Sequence, residues 1–451
     1  MDIEHVISEI KSYKGTHIKF AVVDIDGVLR GKLISKKKLL KALDHDIGFC
    51  NVIFGWDVAD QVCDNSKATG WHTGFPDSNA AIDLSTYRRI PWNDDLPMFL
   101  ADFERSDTLK EICPRSLLKR IDQHSREMGF VPKFSSEYEW FNFRETPESL
   151  HEKGGVNPQP LTPGMFGYSM LRASQYHEYM HGIAVNMEKF GVPVEGIHTE
   201  TGDGVYEACL EYCDLVEAAD RSALFKNGVK EFAGQHGIMA SFMAKWCNDL
   251  PGCGGHIHQS LLNREETENL FHGDEETNRL PELMKQYLAG QLHCLPDILP
   301  MYAPTVNSYK RFVSGSWAST SVSWGRANRT TALRVIAGSK DSSRLETRIP
   351  GADANPYLAM AAALASGLYG IKNKLTLDIP ETVGNEYESE VSTPLAGTLG
   401  EATSRMKSSD VAKELFGEAF VDHFVYTREW EWEQFSKNVS DWELKRYFEI
   451  I

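Results

Sequence analysis

Apolar residues recur in two rhythms along this chain, and the change of rhythm divides it. Val6, Ile7 and Ile10 share one side of a helix-like stretch over residues 1–15. From 17 to 35 the pattern is β-like, with apolar runs on either side of Asp26-Gly27, a pair that predicts a hairpin turn. Loop-like sequence follows over 57–73, then extended segments at 80–84 and 98–102. Pro114 disfavours helix before itself and suits the first turn of a helix after it, so a boundary is placed near residue 110.

Beyond that boundary strands alternate with helices. The pattern predicts a strand over 130–143, and a long amphipathic helix over 170–190 closed by Gly191. Two strands over 194–210 join through Thr201-Gly202-Asp203-Gly204. A helix follows at 212–237, then extended chain at 240–245. Further strands are expected at 254–262 and within 331–349, with an Ala-rich helix over 355–372. From 401 the chain reads as helical, and Ser440-Asp441-Trp442-Glu443 is a capping box opening a last helix. Its apolar end, residues 442–451, is expected to dock on its own subunit or across an interface. No internal repeat is present. The predicted fold is α+β: a small β domain over 1–110 and a large domain over 111–451.

Charge narrows the functions available. Acidic residues number 64 against 47 basic, a formal net charge of −17. That balance argues against general nucleic-acid binding, which needs a basic surface, yet a few converging arginines still admit an anionic substrate. No apolar run is long enough for a membrane span, the first residues lack a signal-peptide core, and the eight cysteines form no CxxC pair. A cytoplasmic chain with reduced thiols is expected.

Chemistry-bearing residues are spaced by two on β-type segments, which puts them on one face of a strand. Glu137-Tyr138-Glu139, His256-Ile257-His258 and Arg344-Leu345-Glu346-Thr347-Arg348 all show it, and Glu200 and Glu207 flank the 201–204 turn. Each piece alone reads as a solvated face or a surface ion pair. Gathered on one sheet, carboxylates at that density repel unless cations sit among them. Oxygen donors with one or two imidazoles suit Mg²⁺ or Mn²⁺ better than Zn²⁺, and such ions beside arginines suggest phosphoryl transfer. A rival motif, Val22-Val23-Asp24-Ile25-Asp26-Gly27-Val28, looks like the aspartyl-phosphate loop of haloacid-dehalogenase-type phosphatases, with Gly202-Asp203-Gly204 as the later metal loop. That fold needs a helix soon afterwards, whereas 29–34 reads as extended, so Asp24 and Asp26 are expected to form a turn.

Over nearly its whole length the chain resembles glutamine synthetases. The resemblance rests on Asn307-Ser308-Tyr309-Lys310-Arg311, Gly254-Gly255-His256-Ile257-His258-Gln259-Ser260, Arg326-Ala327-Asn328-Arg329, Arg344-Leu345-Glu346-Thr347-Arg348 and Asn355-Pro356-Tyr357, in the family's order and spacing. It implies an N-terminal β-grasp domain, a C-terminal catalytic domain, and homo-oligomers, commonly two stacked hexameric rings with active sites between neighbours. It implies ATP as substrate and two or three Mg²⁺ or Mn²⁺ ions per site. By the resemblance, Glu139, Glu200 and Glu207 hold the first ion, and Glu137, His256 and Glu346 the second. His258, Ser260, Arg334, Arg344 and Tyr206 fall at ATP positions. Gly252, His256, Arg311 and Arg348 fall at the glutamate site, and Arg329 at the transferring phosphoryl group. The implied reaction phosphorylates the γ-carboxylate of L-glutamate, then lets a nitrogen nucleophile displace phosphate.

The nitrogen site departs from the family. Six residues after Arg311, where glutamine synthetases carry a glutamate for ammonium, stands Trp317. The loop that carries a neighbour's acidic residue reads Ile53-Phe54-Gly55-Trp56-Asp57, with Asp57 as counterpart. The family's adenylylation signature is not evident at 385–388. An indole in place of a carboxylate removes a cation-binding charge and adds an apolar wall. The expectation is therefore a γ-glutamyl-amine ligase of amine catabolism or nitrogen assimilation, taking a small hydrophobic monoamine against Trp317 and Trp56. The alternatives are an ordinary glutamine synthetase using ammonia, a non-enzymatic structural relative, and a small-molecule sensor.

Overall fold

The computed structural model describes residues 3–43, 47–63, 66–273, 279–390 and 392–451. A five-stranded sheet comes first. His17–Val23 runs antiparallel to Leu29–Ser35 and parallel to Leu96–Asp102, and Asp77–Ile90 and Ile47–Cys50 complete the far side. Helix Ile3–Ser12 buries Val6 and Ile10, four residues apart, in the same core as Ile18, Phe20, Phe49 and Phe99. The Asp-Gly hairpin forms as expected. Asp24 Oδ1 accepts the Asp26 and Val28 amides at 3.0 and 2.9 Å, its Oδ2 accepts Arg30 Nε at 2.9 Å, and Gly27 takes φ +82°. The Asp24 carboxylate of the phosphatase-like motif is thus spent on holding a turn, and Asp26 pairs with Arg428.

The second sheet orders its main strands Trp324–Arg326, Leu333–Ile336, Arg344–Thr347, Gly255–Asn263, Phe130–Phe143, Val205–Leu210 and Val194–Thr199. All these neighbours are antiparallel except the first pair. Helices Pro114–Glu127, Leu215–Gln235, Glu282–Ile298 and Pro356–Lys372 contribute to the core behind it. Pro356–Lys372 is buried on every face, which suits its alanines. It crosses Glu282–Ile298 so closely that a Cβ on Gly290 would lie 2.2 Å from the Ser366 carbonyl oxygen. Together the parts make an α+β protein, a small N-terminal sheet domain followed by a large mixed domain.

Several segments differ from the sequence expectation. The helix expected over 170–190 is two, Met170–Gln175 and His177–Lys189, broken at Tyr176, whose φ of −123° is not helical. Tyr176 instead donates its hydroxyl to the Leu161 carbonyl and accepts Arg144. The helix over 212–237 starts later, at Leu215, because Cys213–Asp214 pairs with Lys133 and Phe134. The extended stretch at 240–245 shrinks to Met239–Ser241. The C-terminal capping box forms at Ser440 and Glu443. The end beyond it does not dock on its own chain: Phe448, Ile450 and Ile451 are 85%, 84% and 95% exposed. Among the described residues no helix is long and apolar enough to cross a membrane.

One guanidinium ties the two sheets' domains together. Arg115 is 2% exposed and donates to Asp220 at 2.9 and 2.8 Å, to Asp102 at 2.7 Å and to Asp83 at 2.8 Å. Asp83 and Asp102 lie on the small sheet, and Asp220 on helix Leu215–Gln235. Arg428 pairs with Asp26 at 2.5 Å, and Asn355 donates to the Asp24 and Ile25 carbonyls at 3.1 Å, from the other side of the same joint. Removing one partner of a buried ion cluster leaves the rest uncompensated. Arg115→Ala should cost roughly 3–5 kcal/mol of unfolding free energy, read by chemical denaturation. A second joint residue, His423, is buried against Ser66. Burial first, and then the Arg428 charge, push its pKa down to about 4. Between pH 6.5 and 4 the unfolded chain takes up a proton that the folded chain refuses, so this part of the stability is present above pH 6.5 and lost as the pH falls. Thermal melts from pH 7 to 4 should show a shallower decline in His423→Gln than in the natural chain.

Candidate active site

The centre of the large sheet is a strand with two unlike faces. Along Phe130–Phe143, Tyr138 and Trp140 point into the aromatic core with Phe225 and Phe242, so Glu137 and Glu139 point the other way. Register then sets the neighbours. Glu139 lies opposite Glu207, Glu137 opposite both Cys209 and His256, and Glu346 opposite both His258 and Arg334. The residues spaced by two therefore converge on one face, where a cavity of about 610 Å³ opens.

Among the described residues three donor groups lie in or beside it, one of them Glu137, Glu207 and Cys209. Glu137, His256 and Glu346 bring one ligand atom each within 4.8 Å of one another, and so do His198, Glu200 and Glu207. His256 Nδ1 lies 3.2 Å from Glu137 Oε1 and 3.4 Å from Glu346 Oε1. Glu139 lines the cavity but stands outside all three groups, its carboxylate accepting the Gly254 amide. His198 was not picked out from the sequence. It precedes Glu200 by two on a strand leading into the turn, so the spacing that marked the other pairs also marks it.

The charges are under strain. Burial, then the Glu137 and Glu139 carboxylates, push Glu207 up to about 8 despite His198. Burial and Glu139 likewise raise Glu200, and one oxygen of Glu200 is buried with no hydrogen-bond partner. Burial opposes the charge on His198, but Glu207 at 3.5 Å overrides it and lifts the pKa to about 9. Burial opposes the charge on Glu346 too, yet Arg348, His258 and His256 hold it at about 2. Carboxylate and imidazole donors with an unpartnered carboxylate oxygen fit a hard divalent cation such as Mg²⁺ or Mn²⁺.

Arginines form the wall above. Arg348 and Arg334 grip opposite oxygens of Glu346 at 2.6 and 2.8 Å, and each keeps a buried Nε without an acceptor. Arg311, 3% exposed, donates to the Ile349 and Arg348 carbonyls at 3.0 and 3.2 Å, with burial lowering its pKa. Arg329 lies exposed on the rim. Behind Arg311, Gly252 has no room for a side chain: a Cβ would lie 2.3 Å from the Ala244 carbonyl oxygen and 2.5 Å from Arg311 Cγ. A second cavity of about 250 Å³ shares Glu137 and Cys209 with the first and adds His258, Ser260 and Arg344. Arg344 Nε meets His258 Nδ1 at 3.2 Å.

Three expected site residues fall elsewhere in this chain. Tyr206 is 1% exposed and packs on Trp140 and Tyr179. It sits next to Glu207 on its strand and so faces the core, which corrects its placement at the nucleotide. Trp56 and Asp57 belong to a loop outside the cavity lining: Trp56 lies under Arg30 at 4.9 Å, and Asp57 accepts Trp430 Nε1 at 3.1 Å. Trp317 does line the cavity, 57% exposed, with φ +62°. So does Tyr168, which the sequence reading missed. Its ring stacks on His198 at 4.4 Å, and its amide donates to the Thr199 carbonyl at 2.7 Å.

The comparisons with known proteins define the class. Residues 111–447 match the family described as glutamine synthetase, catalytic domain. The type-1 glutamine synthetase 2 of Dictyostelium discoideum is 49% identical over 99% of this chain and 86% of its own length. A glutamate–isopropylamine ligase of a Pseudomonas species is 37% identical over 96% of this chain and 95% of its own, and a γ-glutamylethanolamide synthetase of Streptomyces coelicolor 34% over 96% and 92%. Among solved structures, GmaS in complex with ADP superposes with a TM-score of 0.84 at 26% identity, covering 98% of this chain and 99% of that one. The chain belongs to the glutamine synthetase family. It is accordingly an ATP-dependent carbon–nitrogen ligase acting on small molecules, in a family that uses divalent metals.

The crowding at Gly252 is testable without substrate. Gly252→Ala must displace either Arg311 or the Ala244 carbonyl, and should lower stability by roughly 1–3 kcal/mol. Gly196→Ala, with nothing within 4 Å of the added carbon, is the control. Its melting temperature should stay at the natural value.

Proposed function

We propose that this enzyme joins the γ-carboxylate of L-glutamate to a small hydrophobic monoamine, with ATP converted to ADP and phosphate. The observation that carries the reading is Trp317, which lines the cavity at the position where the family's ammonium-binding glutamate is expected. An indole face holds an alkylammonium by cation–π attraction. It also rewards carbon: each buried methylene is worth about 0.8 kcal/mol, so a three-carbon amine gains about 2 kcal/mol over ammonia. The relatives named for isopropylamine and ethanolamide chemistry support this choice. The 49% identical relative named as a glutamine synthetase supports a second reading, in which ammonia is the nitrogen donor.

In this reading Arg311, Arg348 and Gly252 hold glutamate, with His256 beside it, and the two arginines fix its carboxylates by directed hydrogen bonds. His258, Ser260 and Arg344 hold the nucleotide. Arg334 and Arg329 face the phosphoryl group and offset the charge that develops on it. Two or three divalent cations would be held by Glu137, His256 and Glu346 and by Glu139, Glu200 and Glu207, with His198 against the second group. When bound they supply the positive charge that lets anionic carboxylate and triphosphate approach. The γ-carboxylate oxygen attacks the γ-phosphorus and ADP leaves. The amine nitrogen then attacks the acyl carbon, phosphate leaves, and the amine's proton passes to Asp57 of a neighbouring copy.

That last role requires assembly. Two stacked hexameric rings, with the Trp56–Asp57 loop of one copy closing the next copy's site, explain why this loop lies outside its own chain's cavity. The exposed apolar C-terminus then has a partner. Residues 1–110 serve in this reading as a β-grasp domain and 111–451 as the catalytic domain of a cytoplasmic enzyme.

The test is ATP-dependent phosphate release with glutamate, Mg²⁺ and a panel of ammonia, methylamine, isopropylamine, ethanolamine and putrescine. Isopropylamine should exceed ammonia in kcat/KM by at least tenfold, and Trp317→Glu should reverse that order. Turnover with ammonia alone would return the protein to ordinary glutamine synthesis.

A further inference from the structure

We propose that a third cavity, at the joint between the small domain's Asp24–Val28 turn and the large domain, binds a small organic carboxylate, its anionic head at Lys226 and Lys230 and its apolar body against Phe242 and Met243. The cavity measures about 410 Å³ and shares no lining residue with the cavity of the candidate active site. Ala223, Lys226, Asn227 and Lys230 enter it from one face of helix Leu215–Gln235.

Two ammonium groups four residues apart repel unless something anionic lies between them. Among the described residues no carboxylate stands within ion-pairing distance of either. Lys226 Nζ reaches the Ala354 carbonyl at 3.0 Å and the rings of Tyr138 and Phe242 at 5.8 Å; Lys230 lies 5.8 Å from Phe242. Of the two acids in the wall, Asp26 is matched, while Asp353 keeps one buried oxygen without a hydrogen-bond partner. Asp26 pairs with Arg428 at 2.5 Å. Asp353 accepts Thr305 and Ser308 hydroxyls at 2.9 and 2.5 Å, and its charge acts on Arg311 as well as on Lys226. Burial, and then the Lys230 charge, lower the pKa of Lys226 to about 7 against the pull of Asp353. Val28, Leu29, Phe242 and Met243 give the wall an apolar patch beside Ser241, Thr305 and Asn307, with Met243 44% exposed. A bare inorganic anion would leave that surface wet; a carboxylate with a short hydrocarbon body covers it.

The cavity also touches the scaffold of the candidate active site. Ala244 accepts the Cys253 amide at 2.8 Å and lies against Gly252. Asn307 bonds both backbone groups of Lys245, and Asp353 holds Ser308 at the start of the turn carrying Arg311. A ligand resting on Ala244, Asn307 and Asp353 therefore changes the affinity at Arg311, and by linkage the reverse. This coupling rests on the assignment of Arg311 to glutamate; the binding site itself does not.

Calorimetry on the full-length protein, saturated with glutamate, ADP and Mg²⁺ at constant ionic strength in chloride, tests it with butyrate and inorganic phosphate. Butyrate should bind once per chain and more tightly than phosphate, and Lys226→Met and Lys230→Met should each weaken it at least tenfold. Lys230 is exposed, so its variant should fold even if Lys226→Met does not. Absent butyrate binding, equal binding in natural and variant proteins, or tighter phosphate binding would overturn the assignment. Glutamate titrated with and without butyrate reads the coupling: at least a threefold shift in its Kd supports regulation, and no shift removes the coupling while leaving the site.

Discussion

Like-charge crowding is the constraint around which the rest of this protein is arranged. Glu137, Glu139, Glu200, Glu207 and Glu346 crowd at one face of one sheet, and Glu207 is pushed up to about 8 because it is buried among other acids. Isolated carboxylates in such a place would take up protons or tear the site open. The fold answers with imidazoles and guanidiniums in register, and it leaves a carboxylate oxygen of Glu200 and the Nε atoms of Arg334 and Arg348 buried without partners. Unmatched polar atoms cost stability. They make sense as sockets for what binds there.

Holding that arrangement demands a stiff backing. The acid-bearing face of Phe130–Phe143 exists because its other face is locked into an aromatic core by Tyr138 and Trp140. A slip of one residue would exchange the two faces. The same logic recurs at the domain joint, where Arg115 binds three aspartates from both domains. Such a cluster gives position more than net stability, because desolvation offsets much of the attraction. Position is what a loop serving a neighbouring copy's active site would need.

Much of this was legible because strand alternation is local. The pairs at 137/139, 256/258 and 344/346/348 needed only a period of two, and the structure brings them onto one face. The same rule, applied throughout, would have found His198 and would have turned Tyr206 into the core. Helix Glu282–Ile298 escaped because it is largely buried, shows no clean apolar stripe, and carries Pro296 inside it. The break at Tyr176 came from a tertiary contact with Leu161 and Arg144 that no local pattern contains. Trp56 and Asp57 show another limit. Their proposed partners belong to a second copy, so neither the sequence nor one folded chain brings them to the cavity.

The central claim is that these acids are held together by cations. Counting bound Mn²⁺ per chain by electron paramagnetic resonance tests it most directly, in the natural protein and in Glu346→Gln and Glu200→Gln. The account requires at least two tightly held ions in the natural protein and the loss of one in each variant. Fewer than two in the natural protein, or an unchanged count in both variants, would contradict it.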